Sequence, residues 1–179
     1  MIKIPYIFRG SVAGLIENAT IEIPEDSILE IELMKFLISK AKVLYTCKRP
    51  PGPAGALLVP RLLSRHFDPY ILASATAPPG SRTCFEIGCE MENGHCVRTN
   101  HAEMIAIAIA AQQGIPTYGA TMYSILRPCY MCIKLIAESG IRNVYFAGAA
   151  YSETRVADVA KYAGVNLIKL EGTGLDYGC

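Results

Sequence analysis

This chain lacks any apolar run of the roughly 18 to 20 residues that a membrane-crossing helix requires. Its start, Met1-Ile2-Lys3-Ile4-Pro5, has none of the basic head, long apolar stretch and small-residue cleavage site of a secretory signal. The expectation is a cytoplasmic protein with no membrane partner. An excess of one charge is missing too: 17 Lys and Arg against 16 Asp and Glu give a formal net charge of +1, with no basic run. Proteins that track a polyanionic backbone concentrate Lys and Arg, so nucleic acid is not the expected partner, whereas a ligand with one phosphate is compatible. Internal repeats and low-complexity linkers are also absent, and 179 residues fit one domain with a sizeable core. Seven cysteines is an odd number, and without a secretory start they read as reduced, metal-binding thiols more readily than as a disulfide framework.

What the chain does have is His101-Ala102-Glu103 and, further on, Pro128-Cys129-Tyr130-Met131-Cys132. Either half alone says little: a His-x-Glu arises often by chance, and a Cys-x-x-Cys also suits a redox pair or half of a zinc ribbon. Together they supply His101, Cys129 and Cys132 as three zinc ligands, with Glu103 beside them as the catalytic acid/base. Three protein ligands leave a fourth position for a water, which the metal makes acidic. The alternative is a closed structural site in which Glu103 or another Cys is the fourth ligand. His-x-Glu followed by Pro-Cys-x-x-Cys is the signature of zinc nucleobase deaminases.

Local patterns place these residues. From Ala102 to Gln113 the chain is apolar all round, as suits a helix buried between layers and stopping before Gly114, with His101 and Glu103 at its first turn. Pro128 fits the first residue of a second helix ending at Gly140, which sets Cys129 and Cys132 at i, i+3 near a helix N-terminus, where partial positive charge favours thiolate. Ser27 with Glu30 forms a capping-box pattern ahead of a helix over 28–45. Strands are expected at 56–59, 70–74, 121–126, 143–147 and 165–170, and a further helix at 154–163. His66 falls in a surface loop between the first two strands, and Pro50-Pro51-Gly52-Pro53 in a turn. A strand pair followed by alternating strands and helices implies a mixed sheet with helices on both faces.

Residues 30–170 resemble the cytidine deaminase fold, most closely its deoxycytidylate (dCMP) deaminase branch. The resemblance is carried by the motif and by the stretches 94–103, Gly119-Ala120-Thr121-Met122-Tyr123 and 134–141. It implies a three-layer α/β/α fold with a mixed five-stranded sheet and, for this chain, an N-terminal extension of unclear role over 1–27, a catalytic domain over 28–170 and a flexible tail over 171–179 ending in an inert Cys179. It further implies zinc-dependent hydrolytic deamination of a small-molecule pyrimidine nucleotide, dCMP to dUMP with release of ammonia, by a homo-oligomer, dimer or hexamer. Alternatives are a deaminase acting on a base in RNA or on another or modified pyrimidine, and a non-catalytic deaminase-like assembly subunit, against which the intact Glu103 argues.

The chain departs from the family where the sugar is read. An Asn usual after the second strand is replaced within Ser74-Ala75-Thr76, and another usual two residues after the catalytic Glu is Ile105. Ser74 and Thr76 are candidates for replacing the lost hydrogen bond, and Arg127 and Arg98 for meeting a phosphate, with a solvated loop charge as the alternative for Arg127. Some deoxycytidylate deaminases bind a second, structural zinc through corresponding regions. Here Cys47, Cys84, Cys89 and either Cys96 or His95 would close such a site, the alternative being small buried hydrophobes.

Overall fold

The computed structural model describes residues 26–47, 52, 54–61, 70–148 and 154–174. Expectations for nearly all of the extension over 1–27, for His66, for most of the turn over 50–53 and for Cys179 lie outside these residues. In chain order the elements are α1 (Asp26–Leu44), β1 (Gly55–Val59), β2 (Ile71–Ser74), α2 (Cys84–Ile87), β3 (Met91–Glu92), β4 (His95–Cys96), α3 (Ala102–Gln113), β5 (Thr121–Leu126), α4 (Tyr130–Glu138), β6 (Asn143–Gly148), α5 (Thr154–Ala163) and β7 (Asn166–Lys169). Five strands make one sheet in the order β2-β1-β5-β6-β7. β1 is antiparallel to both neighbours, while β5, β6 and β7 run parallel.

Side chains alternate across a strand, so each strand serves two cores. Ala56, Leu58, Ile71, Ala73, Met122 and Val144 are buried with α3, α4 and α5. Leu57, Leu72, Tyr123, Ile125 and Ala147 are buried on the other face with α1. That gives three layers, α1 over the sheet over α3, α4 and α5. On α1, Leu33, Met34, Leu37, Ile38 and Ala41 recur at helical steps and are buried, each large aliphatic contributing about 2 kcal/mol by leaving water. The helix lies close over β1 because Gly55 has no side chain: a Cβ there would sit 2.7 Å from the Ala41 Cβ.

Several expectations shift. α1 already includes Asp26, so Ser27 lies inside its first turn instead of capping it. α3 is buried on one face only, with Ala108, Ala111 and Gln112 exposed, because its all-apolar composition hides which face meets the sheet. Its end is as expected: Gly114 takes a left-handed φ of 65° and its N–H caps Ala110 and Ala111. α4 starts at Tyr130 with Cys129 as N-cap, so Pro128 precedes the helix. The cysteine-rich segment is structured, with one helical turn at α2 and the β3–β4 hairpin. Asn93 and Gly94, at φ 46° and 80°, make the two-residue turn that an Asn-Gly pair favours.

Candidate metal centre

β5 and β6 are parallel, and the centre forms beyond their C-terminal ends, where α/β sheets hold ligands. As the chain leaves β5, the Arg127 N–H donates to the Gly148 carbonyl at 2.6 Å, tying the β5–α4 connection to the end of β6. The rigid Pro128 then delivers Cys129 to the N-cap of α4 and Cys132 to its first turn. From the neighbouring layer, His101 is the N-cap of α3 and Glu103 lies in that helix's first turn. Two helix N-termini therefore meet.

His101 Nδ1 lies 3.5 Å from Cys129 Sγ and 3.3 Å from Cys132 Sγ. For zinc bonds of about 2.0 Å to nitrogen and 2.3 Å to sulfur, a tetrahedral edge is about 3.5 Å, so both nitrogen–sulfur distances match the spacing zinc demands. Charge agrees. The hydrogen bond from Cys132, working against burial and helped by His101, lowers the Cys129 thiol to about 3, while the same bond and burial push the Cys132 thiol well up. The site thus favours the thiolate at Cys129, and the Cys132 thiol carries a proton that a bound metal would displace.

Glu103 is buried, with His101 and Cys132 close enough for one ligand atom of each to lie within 4.8 Å of the others. Burial pushes its carboxyl above the usual carboxylate range, opposed by the neighbouring His101. The Ser124 hydroxyl donates to Glu103 Oε1 at 3.1 Å. Sequence reasoning missed Ser124; its signal was a small hydroxyl side chain at the middle of an inner strand, between Tyr123 and Ile125.

The four thiols of Cys47, Cys84, Cys89 and Cys96 form a second group whose ligand atoms all lie within 4.8 Å of one another. Cys84 Sγ and Cys96 Sγ are 3.5 Å apart, against about 2.05 Å for a disulfide and about 3.8 Å for the sulfur–sulfur edge of a zinc tetrahedron. Burial raises the Cys84 thiol, while at Cys96 burial is outweighed by hydrogen bonds from the Glu90 backbone, Cys84 and the Arg98 backbone, which lower it to about 6. His95 does not join this group. Adjacent residues on β4 point opposite ways, so Cys96 turns to Cys84 and His95 stacks on His101 with ring centroids 5.6 Å apart, its ligand nitrogen grouped with those of His101 and Cys129.

Two expected substrate contacts are placed elsewhere. Ser74 pairs with Gly55, which faces α1, so its buried side chain shares the face opposite Glu103. The Arg98 guanidinium is engaged in the cysteine loop, donating to the Gly88 carbonyl at 3.0 Å and pairing with Glu90 at 3.0 Å. Thr76 does reach the centre's edge: it bridges to Asn100, whose N–H donates to the Thr76 carbonyl at 3.0 Å, next to His101. Arg127 is half-buried on the connection leading to Cys129.

Fold and donor set together give an α/β protein in which His101, Cys129 and Cys132 could hold a soft metal beside a buried carboxylate. Residues 80–148 match the model of the cytidine and deoxycytidylate deaminase zinc-binding region. "ComE operon protein 2" of Bacillus subtilis (strain 168) is 38% identical over 92 residues, 51% of this chain and 49% of the relative. Deoxycytidylate deaminase of Enterobacteria phage T4 is 32% identical over 103 residues, 54% of this chain and 53% of the relative. The chain thus spans about half the length of these two curated relatives. The crystal structure of dCMP deaminase from the cyanophage S-TIM5, in complex with dCMP and dUMP, superposes with a TM-score of 0.63 at 26% identity, covering 82% of this chain and 99% of that one. The similarity to that zinc-binding region spans residues 80–148, which include His101, Glu103, Cys129 and Cys132.

Proposed function

We propose that this protein is a zinc-dependent aminohydrolase that converts a cytosine nucleotide, dCMP, to dUMP with release of ammonia. The observation that carries the proposal is Glu103, a buried carboxylate beside His101, Cys129 and Cys132, whose nitrogen–sulfur distances suit zinc. Zinc held by His101, Cys129 and Cys132 would act as a Lewis acid that makes water nucleophilic near neutral pH. Glu103 would take one proton from that water and pass it to the ring nitrogen next to the carbon that bears the amine. It would then take the second proton from the hydroxyl now on that carbon and give it to the amine as the carbon–nitrogen bond breaks, leaving a carbonyl and ammonia. Its raised pKa suits this, because an acid/base works best when its pKa lies near the operating pH. Burial of the carboxylate keeps bulk water away from the proton in transit.

Arg127, at the edge of the centre, is assigned to the 5′ phosphate. Two more cations lie over the ring of Tyr130, between the two cysteines: Lys134 Nζ at 4.7 Å and the Arg155 guanidinium at 4.3 Å. An anionic substrate fits this rim. Thr76 is assigned to the sugar, in place of the Asn usual in the family the sequence resembles. Cys47, Cys84, Cys89 and Cys96 are assigned to a second zinc with four protein ligands and no water, a structural role. The outer face of α3, with Ala108, Ala111 and Gln112 exposed and no charge, supports self-association, measurable by sedimentation.

The test is a panel of cytosine nucleosides, nucleotides, modified pyrimidines and oligonucleotides given to the zinc-loaded protein and followed by loss of cytosine absorbance. dCMP should be the best substrate. Turnover of oligonucleotides alone, falling steeply with salt, would instead identify a nucleic-acid deaminase, because several phosphate contacts release counterions together.

A further inference from the structure

Ser124 sits at the middle of β5, a strand that otherwise presents Met122 to one core and Tyr123 and Ile125 to the other. It aligns with Ala56 on β1 and Phe146 on β6, and Ala56 faces the α3 side, so the hydroxyl points at the layer that carries Glu103. Both residues are buried, Ser124 at 2% exposure and Glu103 at 6%, and the hydroxyl donates to Oε1 at 3.1 Å across 21 residues of sequence. A serine has one hydrogen to give, and here it goes to an acid whose direction matters more than its presence. A carboxylate in a buried site has two oxygens, and a proton shuttle needs one of them aimed at the reacting atoms. Unless something outside the reaction holds the other oxygen, the group rotates and spends part of its time misaimed.

We propose that Ser124 is a positioning residue: its hydroxyl holds Glu103 Oε1 against the sheet so that Oε2 is the oxygen that carries the proton. This rests on the deaminase reading above. It adds to it a residue outside the zinc motif, on an inner strand. The bond engages an acceptor that is charged for part of the cycle, which strengthens it relative to a bond between neutral groups, and water cannot replace it in a buried site.

The test uses the zinc-loaded full chain and an isosteric pair. Ser124→Val and Ser124→Thr add the same bulk to β5, but only threonine keeps a hydroxyl. Ser124→Val and Ser124→Ala should lower kcat roughly 10-fold with KM within about 2-fold and zinc content unchanged, and Ser124→Thr should restore most of kcat. In a Glu103→Gln background, Ser124→Ala should have almost no further effect, because the residue acts only through the carboxylate. Crystal structures of zinc-loaded wild type and Ser124→Ala read the same point without turnover: the Glu103 carboxylate should hold one orientation in the first and turn or split in the second. Equal kcat for the valine and threonine variants, an additive effect in the Glu103→Gln background, or an unmoved carboxylate in the alanine variant would each overturn the proposal. An inactive wild type would instead sink the deaminase reading, and the crystallographic comparison would still decide whether Ser124 orients Glu103.

Discussion

The His101, Cys129 and Cys132 group takes its donors from the first turns of α3 and α4, long helices whose buried faces hold them in place independently of any metal. The Cys47, Cys84, Cys89 and Cys96 group takes its donors from a post-helix loop, a one-turn helix and a two-residue strand. Such short elements bury little apolar surface, and Phe85, Ile87, Met91 and Val97 around them remain exposed. What holds the segment locally is polar: the capping box between Thr83 and Glu86 and the Arg98 clamp on Gly88 and Glu90. Soft ligands on rigid elements suit a centre that keeps a position open for chemistry, since the scaffold supplies the geometry. Soft ligands on short elements suit a centre in which the metal supplies the geometry. The two groups are also linked, because His95 and Cys96 are consecutive on β4 and serve one group each.

Cys129→Ala gives the largest expected effect. It should abolish activity and remove one zinc per chain while the melting temperature moves little, because the core beneath α4 stays packed. Metal analysis beside thermal melts checks it, and a collapse of the fold would break the contrast between the two groups. Next is Glu103→Gln, which should lower turnover roughly 100-fold or more with both zinc ions retained, as expected when a positioned acid/base is lost. Near-normal turnover would remove Glu103 from the mechanism.

Cys84→Ser should do the reverse of Cys129→Ala. Freshly purified wild type is expected to carry about two zinc ions per chain, one for each group. The variant should lose one and melt at a lower temperature, because a structural metal contributes directly to folding. One zinc per chain in the wild type would leave the four thiols as packing groups. The smallest effect belongs to Arg127→Ala, which should cost roughly 10 to 100-fold on dCMP, the worth of a charge-assisted hydrogen bond, and leave deoxycytidine nearly untouched. Equal turnover of nucleotide and nucleoside by the wild type would reject the phosphate assignment.

The neighbourhood of Glu103 was legible in the sequence because His101 and Glu103 lie within one helical turn, as do Cys129 and Cys132. Spacing along a helix settles such neighbours without knowledge of the rest of the chain. The strand-and-helix alternation likewise pointed to a mixed sheet covered on both faces, because period-two and helical patterns differ locally. The tertiary structure decided which side chains cross between elements. Ser74 lies opposite the site because its parity follows from pairing with Gly55, and a strand's parity has no meaning until its register is set. Arg98 turned from a substrate candidate into a loop clamp once the cysteine segment folded back on Gly88 and Glu90. His95 and Cys96, equal candidates for one metal when read in order, were separated by the alternation of a two-residue strand that the Asn93-Gly94 turn creates. Ser124 became a partner of Glu103 only when β5 was laid beneath α3, a contact between residues 21 apart that no local period encodes.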